Sequence, residues 1–156
     1  MLLVFLERLR IYMDNLENLY RQIIMEHYKY PRNKGLKGYP YVHLFNPSCG
    51  DDVTIEARIE NQKIIEVNFE GSGCSICCSS ASILTELLKG KLVEEAEELI
   101  FKFYNLVKGE EIKKSEELEE AIVFQGVSKF PARIKCATLP WKALERLLKG
   151  DFEDGK

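Results

Sequence analysis

Three short cysteine-bearing stretches hold the residue types best suited to metal or sulfur chemistry: Cys49 with Asp51, then Cys74, then Cys136. Gly50 lets the chain bend between Cys49 and Asp51, so that a thiol and a carboxylate can face one ion. Three thiolates and one carboxylate suit zinc or an iron-sulfur cluster better than a hard cation. Cysteines are also often small buried hydrophobes, so spacing alone leaves both interpretations open.

Composition narrows the class of protein around these cysteines. The 156 residues are enough for one domain with its own core, and 46% are hydrophobic and 30% charged. A net charge of -3 argues against nucleic acid and anionic membranes as partners. Five cysteines, with Cys77 and Cys78 adjacent, favour a reduced cytoplasmic protein over a disulfide framework. The apolar residues 1–6 precede Glu7 and Arg8, which fits neither a signal peptide nor a membrane span.

The chain divides into a short extension, one domain and a tail. We expect residues 1–13 to be an N-terminal extension, 14–150 to be the domain and 151–156 to be a tail. Apolar residues at helical spacing predict a first helix that begins at Asp14, with Asp14 or the next residue as its N-cap. Pro31 is the expected stop, because proline does not continue a helix.

A β-hairpin follows the first cysteine. Apolar and polar residues alternate over 53–59 and again over 65–69, and a turn at Asn61 joins the two predicted strands. Cys49 precedes the first strand and Cys74 follows the second. An antiparallel hairpin therefore brings the two cysteines to the same edge of the sheet.

Helices carry the rest of the chain. One is predicted over 75–89, and its N-terminal dipole favours a thiolate at the residue before it. The acidic stretch 91–120 indicates helices separated near Gly109. The last helix is expected from Pro131 to Lys149, with a kink or restart at Pro140.

These elements define the expected fold class as α+β. A small antiparallel β-sheet of about three strands, including a short one near 41–45, packs with an N-terminal helix and several C-terminal helices. The three cysteine stretches are expected at one exposed end of this arrangement.

Four motifs carry a resemblance to a known family. HYKYPRNKG (27–35), NPSCGDD (46–52), EGSGCSICCSSAS (70–82) and FPARIKCATLPW (130–141) occur in this order. Together they resemble the IscU/NifU N-terminal family of iron-sulfur cluster assembly proteins. The resemblance implies a SufE/NifU-like fold and a role in cluster assembly in the cytoplasm.

Two features resemble the SufU type within this family. Lys135 stands where IscU-type scaffolds carry histidine before the third cysteine, and the interval from Cys74 to Cys136 holds an additional helical segment. The SufU resemblance implies zinc held by Cys74, Cys136, Cys49 and Asp51. It also implies sulfur taken from a cysteine desulfurase of the SufS/IscS/NifS type.

The resemblance also implies roles for individual residues in a sulfurtransferase-like carrier. Cys49 is the expected sulfur acceptor and Cys136 the alternative, while Arg133 and Lys135 favour a thiolate or steer the partner. Zinc keeps thiols deprotonated without redox chemistry of its own, so one ligand must leave before it attacks a persulfide. Asp51 is a harder, weaker ligand than sulfur and keeps such a site exchangeable.

Other interpretations of these residues stay open at this point. The same ligands can hold a [2Fe-2S] cluster on a non-catalytic scaffold that serves apo iron-sulfur acceptor proteins, or zinc can stabilise a module used only for interaction. A hydrolase built on His43 and Cys49 lacks a nucleophile signature. Cys77 and Cys78 depart from the family pattern and fit packing roles, or a share in the thiol chemistry. His27 fits a packing or hydrogen-bonding role.

Overall fold

The computed structural model describes residues 1–155 of the chain. Four α-helices, three β-strands and one 3₁₀ segment follow each other along it. In chain order they are α1 (Leu2–Lys29), β1 (Tyr41–Asn46), β2 (Asp51–Glu60), β3 (Lys63–Ser72), α2 (Ser75–Leu88), α3 (Val93–Val107), the 3₁₀ segment (Ser115–Lys129) and α4 (Pro131–Leu148).

The strands form the antiparallel sheet that alternation in the sequence predicts, in the order β1-β2-β3. Asn61 and Gln62 make the β2–β3 turn with positive φ values of 51° and 62°. The register pairs Asp52 with Ser72 at the other end of the hairpin. This end therefore brings the residues before β2 and after β3 together, and the α+β prediction is confirmed.

Helix α2 is the central element of the core. It packs against β3, α1 and α4, and almost every residue from Ser79 to Leu88 is buried. Its buried polar side chains have hydrogen-bond partners. Ser80 Oγ donates to the Ala137 carbonyl at 2.6 Å and accepts from Trp141 Nε1 at 2.8 Å. Within the described chain, no buried side-chain polar atom lacks a hydrogen-bond partner. The two Ser80 hydrogen bonds join the middle of α2 to α4.

The start predicted for the first helix is wrong. α1 begins at Leu2, twelve residues earlier than the predicted Asp14, and runs without a break to Lys29. Residues 2–13 contain no glycine or proline, and leucine and arginine are good helix formers, so nothing stops the helix from extending. The apolar side chains of this first part are exposed, whereas Ile24 is buried in the core. None of the helices described here is both long enough and apolar enough to cross a membrane.

The acidic stretch has helical segments on both sides of Gly109, as predicted, but the second is a 3₁₀ segment. α3 ends at Val107, and Gly109 follows with a positive φ of 83°. The 3₁₀ segment then begins only at Ser115 and is interrupted at Glu119, whose φ is 48° and ψ -129°. A single residue in that conformation breaks the helical repeat and divides the segment into two parts.

The last helix and the tail both contact the β-sheet. α4 runs from Pro131 to Leu148 through Pro140, so the predicted restart there is wrong. Pro140 and Trp141 are buried, and packing on both sides of the proline offsets the lost backbone hydrogen bond. Beyond the helix, Glu153 exchanges two 2.8 Å backbone hydrogen bonds with Tyr41 of β1. The boundaries given above for the extension, the domain and the tail remain a prediction.

Candidate metal centre

The first cysteine lies in a tight turn between β1 and β2. Gly50 N–H donates to the Asn46 carbonyl at 2.8 Å, and the exposed Cys49 lies at the tip of this turn. Gly50 has a φ of +75°, and a Cβ placed on it would meet nothing within 4 Å. The glycine is therefore favoured by its left-handed backbone conformation, and an added Cβ would meet no steric clash.

Asp51 organises the site from the start of β2. Its side chain is fully buried, and its Oδ1 accepts the Cys74 backbone N–H at 2.9 Å. Its Oδ2 accepts the Cys49 thiol at 2.9 Å and lies 3.6 Å from Cys74 Sγ. One carboxylate oxygen is thus fixed by the backbone before α2, and the other faces the sulfur atoms.

Cys136 closes the group from α4. Its Sγ lies 3.6 Å from Cys49 Sγ, and the donor atoms of Cys49, Asp51 and Cys136 are all within 4.8 Å of one another. We call Cys49, Asp51, Cys74 and Cys136 the thiol centre. Tetrahedral zinc with bonds of about 2.3 Å to sulfur and 2.0 Å to oxygen separates its ligand atoms by roughly 3.5–3.8 Å. The two 3.6 Å contacts match that range, and the donor chemistry fits zinc.

Gly73 is required for the position of the carboxylate. It has a φ of +142°, and a Cβ at this residue would approach Asp51 Cα to 2.9 Å and overlap the Asp51 carboxylate. The chain between β3 and α2 can therefore pass over Asp51 only where it has no side chain.

Burial and hydrogen bonding act in opposite directions on the charge of the site. Burial alone would raise the pKa of Asp51, but hydrogen bonds from the Cys49 thiol, the Cys74 N–H and the other thiols hold that pKa below its usual value. Burial raises the pKa of the Cys136 thiol, and its hydrogen bonds to Asp51 and Cys49 add to that increase. The arrangement thus favours the ionised form of the Asp51 carboxylate and the protonated form of the Cys136 thiol.

The two basic residues expected at the site lie beside it. Arg133 and Lys135 occupy the first two turns of α4 with exposed side chains. Within residues 1–155, no hydrogen bond or ion pair joins either of them to the thiol centre. Their predicted roles with a thiolate or a partner remain a prediction.

The remaining cysteines and His43 lie outside the group. Cys77 is buried, and burial raises the pKa of its thiol. Burial likewise raises the pKa of the partly exposed Cys78, whose Sγ is 4.0 Å from the Gly73 carbonyl. His43 Nε2 lies 2.7 Å from Asp52 Oδ1, an exposed pair that leaves Cys49 without a histidine partner in this structure. The geometry gives no support to a Cys-His hydrolase.

A second polar cluster, which the sequence did not reveal, joins α1, α2 and the 3₁₀ segment. The buried His27 has its Nδ1 2.7 Å from Ser82 Oγ, its Nε2 2.9 Å from Glu120 Oε1 and 3.9 Å from Glu86 Oε1. Arg32 N–H donates to Ser82 Oγ at 2.9 Å. We call these five residues the His27 network. The HYKYPRNKG motif contains both His27 and Arg32, but only the fold shows what they contact.

The fold and the centre define a class: a small α+β domain that carries a three-thiol, one-carboxylate site at the open end of a β-hairpin. Residues 19–137 match the family model described as the NifU-like N terminal domain. The chain belongs to the NifU-like N-terminal domain family, as its four motifs predicted.

Two curated relatives and two solved structures show how this similarity extends along the chain. The zinc-dependent sulfurtransferase SufU of Bacillus subtilis is 48% identical over 133 residues, which cover 85% of this chain and 90% of SufU. The iron-sulfur cluster assembly scaffold protein IscU of Streptococcus pyogenes is 40% identical, over 88% of this chain and 87% of IscU.

Among solved structures, a SUF-system scaffold protein from Fervidobacterium islandicum superposes with a TM-score of 0.73. It is 35% identical, and the match covers 81% of this chain and 93% of that one. A NifU-like N-terminal protein from Brucella abortus gives a TM-score of 0.75 at 16% identity, over 83% of this chain and 91% of that chain, which supports the fold alone.

Proposed function

We propose that this protein is a SufU-like, zinc-dependent sulfur acceptor in iron-sulfur cluster assembly. Cys49, Asp51, Cys74 and Cys136 hold the zinc, and a cysteine desulfurase supplies the sulfur. The observation that carries the proposal is the cluster of three sulfur donors around one buried carboxylate: Cys49 and Cys74 contact Asp51, and Cys136 contacts Cys49. The similarity to the B. subtilis relative over most of both chains supports the choice of zinc.

The exposure of the four residues supports Cys49 as the acceptor. Cys49 is exposed, whereas Cys136 and Asp51 are buried and Cys74 is partly buried. A persulfide on another protein can therefore reach Cys49 with the least rearrangement. Cys136, the alternative acceptor, lies on α4, which packs against α2 in the core. It would first have to move out of this packed region.

The transfer needs no external oxidant or reductant. Bound zinc would hold the thiols as thiolates at neutral pH. The Cys49 thiolate forms a bond to the terminal sulfur of the donor persulfide, the sulfur-sulfur bond of the donor breaks, and the donor cysteine leaves as a thiolate. Asp51 stays oriented throughout, because Oδ1 remains bound to the Cys74 N–H.

The test measures cysteine turnover by a purified desulfurase with and without the zinc-loaded protein. We expect faster turnover and one added sulfur atom on the Cys49 peptide by mass spectrometry. The Cys78→Ser variant is the matched control, since Cys78 is another partly exposed thiol outside the thiol centre. Turnover that does not change with the zinc-loaded protein would contradict the proposal.

The second candidate function is a scaffold for a [2Fe-2S] cluster on the same ligands. The similarity to the S. pyogenes relative favours it, and the donor set can hold either group. In an anaerobic assay, transfer of a reconstituted cluster to an apo-acceptor, without zinc-dependent stimulation of the desulfurase, would support the scaffold. If the protein showed neither activity, the zinc-stabilised interaction module would be the remaining candidate function.

A further inference from the structure

The first half of α1 extends beyond the rest of the molecule, which we call the body. Every side chain of residues 1–15 is exposed, whereas Leu16 and Tyr20 are partly buried and Ile24 and His27 are buried. We call residues 2–13, which form about 18 Å of helix, the overhang. The overhang precedes residues 19–137, which match the family model, so the shared domain does not account for it.

The overhang carries an apolar stripe on the side of α1 that faces the core further along the helix. Successive residues of an α-helix are about 100° apart, and six apolar residues of the overhang lie within about 65° of the mean direction of the less exposed residues between 16 and 27. They are Leu2, Phe5, Leu6, Leu9, Tyr12 and Met13, each between 44% and 70% exposed. Apolar area of this kind favours a partner that removes it from water.

The spacing of the stripe indicates that its partner is another helix. Apolar residues recur in alternating steps of three and four, the repeat of a coiled-coil seam, at Leu2, Phe5, Leu9, Tyr12, Leu16 and Leu19. A second copy of this chain supplies a helix with the same repeat. The opposite face of the overhang combines Val4 and Ile11 with Glu7, which differs from the basic face of a helix that lies on a membrane.

A groove of about 450 Å³ lies where the overhang reaches the body. Leu16 and Tyr20 line it from α1, and Leu106 and Ile112 line it from α3 and the loop after α3. A parallel partner helix would run along α1 into these elements. An antiparallel partner instead ends at the groove, and its own body lies beyond the start of this copy's α1.

The charges of the overhang favour one antiparallel register, in which Leu9 of each copy packs beside Tyr12 of the other. Arg8 then lies across the seam from the neutral Asn15. A shift of one heptad that shortens the overlap would place the two Arg8 side chains across from each other, and like charges repel. The favoured register puts the first turn of each helix at the groove of the other copy.

The groove suits the start of a helix in both charge and polarity. Glu17 and Glu110 line it, with Lys129 as a counter-charge. Helix α1 begins without a side-chain hydrogen bond to its first N–H groups, so the positive end of its dipole remains free for a carboxylate. The favoured register also sets the other copy's Phe5 beside Leu16 at the apolar wall of the groove.

We propose that two copies of this chain form an antiparallel dimer through their overhangs, each seating its first turn in the groove of the other. At roughly 100 Å² for each half-exposed side chain, the stripe contributes about 600 Å² per copy, and the groove adds to it. A specific interface buries about 800 Å² per partner, so the dimer has a modest, micromolar affinity. The thiol centre contains no residue of α1 and stays free, and the inference does not depend on the sulfur-acceptor function.

The experiment measures the association of the full, zinc-loaded chain by sedimentation velocity, over a concentration range that reaches millimolar. Phe5→Glu/Leu9→Glu places two carboxylates in the seam. Val4→Glu/Ile11→Glu is the matched control, because both are exposed apolar residues on the opposite face of the overhang. Small-angle X-ray scattering reports the shape of the dimer, and thermal unfolding checks that each variant is folded.

We expect the unmodified chain to dimerise with a micromolar dissociation constant and an elongated shape, with the two bodies at opposite ends. Phe5→Glu/Leu9→Glu should raise that constant about 100-fold or more, because the seam would then bury unpaired charges. The control should change it less than about threefold. Both variants should keep the thermal midpoint of the unmodified chain, since the overhang lies outside the core.

A chain that stays monomeric at millimolar concentration would overturn the proposal, as would equal weakening by the two double variants. A compact dimer would overturn the antiparallel arrangement. Binding of the monomer to vesicles of anionic phospholipid, abolished by Phe5→Glu/Leu9→Glu, would assign the stripe to a lipid surface instead. Desulfurase turnover tests the sulfur-acceptor function separately from all of these results.

Discussion

The thiol centre and the His27 network each bring three possible metal-ligand atoms within 4.8 Å of one another, but they differ in the hydrogen bonds that those atoms already make. In the His27 network each ring nitrogen of His27 has a protein partner, Ser82 Oγ or Glu120 Oε1, and the Arg32 guanidinium lies 3.7 Å from Glu86 Oε1. In the thiol centre, three sulfur atoms share the side chain of a single acceptor, Asp51. Residue types alone therefore do not define a metal site. The site also requires donor atoms that are not already occupied by hydrogen bonds to other protein groups.

Removing a ligand of the thiol centre should have the largest effect. We expect the purified protein to hold about one zinc per chain, and Asp51→Ala or Cys74→Ala to lower zinc affinity by more than about 100-fold. Metal content by elemental analysis and competition with a chelator would measure this. His27→Gln is the control that should keep its zinc. Zinc retained by Asp51→Ala would contradict the assigned ligand set.

Adding a methyl group beside the carboxylate should have the next largest effect. Gly73→Ala overlaps Asp51, so we expect zinc affinity to fall about 10- to 100-fold, as for the loss of a contact that orients a ligand. Gly35→Ala is the matched control, because Gly35 also has a positive φ, of 118°, but an added Cβ there would meet nothing within 4 Å. If the two variants bound zinc with equal affinity, the clash with Asp51 would not be what lowers zinc affinity.

A change in the His27 network should affect stability and not metal. His27→Gln cannot satisfy both Ser82 and Glu120 with the same geometry, and we expect the free energy of unfolding to fall by about 2 kcal/mol. Denaturant titration would measure it, with zinc content as the second readout. Glu86 Oε1 lies 3.9 Å from His27 and 3.7 Å from Arg32, and its side chain is half exposed, so Glu86→Gln should change stability by less than about 0.5 kcal/mol. Loss of zinc from His27→Gln would show that the two clusters are coupled.

A smaller effect than that of His27→Gln is expected for the hydroxyl group within the same network. Ser82→Ala removes the partner of His27 Nδ1 and of the Arg32 N–H, at a cost of about 1 kcal/mol. The double variant with His27→Gln should cost less than the sum of the two single changes, because both disrupt one shared contact. Additive unfolding free energies would mean that the two side chains act independently.

The sequence predicted the sheet well and the helix boundaries less well. Alternation over β2 and β3 is a strong local signal, since a shift of one residue would expose the buried face. The start of α1 had no comparable signal: Asp14 resembles an N-cap, but the residues before it favour helix equally well. The length of α3 and the break at Glu119 depend on packing against α4 and α2, which local patterns do not report.

The sequence also predicted some features of the candidate site and missed others. The spacing of the cysteines around a hairpin predicts that Cys49 and Cys74 meet, and the structure brings them together through Asp51. The sequence did not indicate that Asp51 would also accept the Cys74 N–H, or that Gly73 must lack a side chain to let it do so. Nor did it indicate that Ser80 and Ser82 are fully buried, because serine carries no apolar periodicity.

The sequence by itself determined the antiparallel hairpin, through local alternation, and the family, through four ordered motifs whose resemblance implied the residues of the thiol centre. Only the tertiary structure decided which of these residues is exposed and what holds the carboxylate. Those properties depend on contacts between α2, α4 and the sheet, and such contacts join residues far apart in the chain.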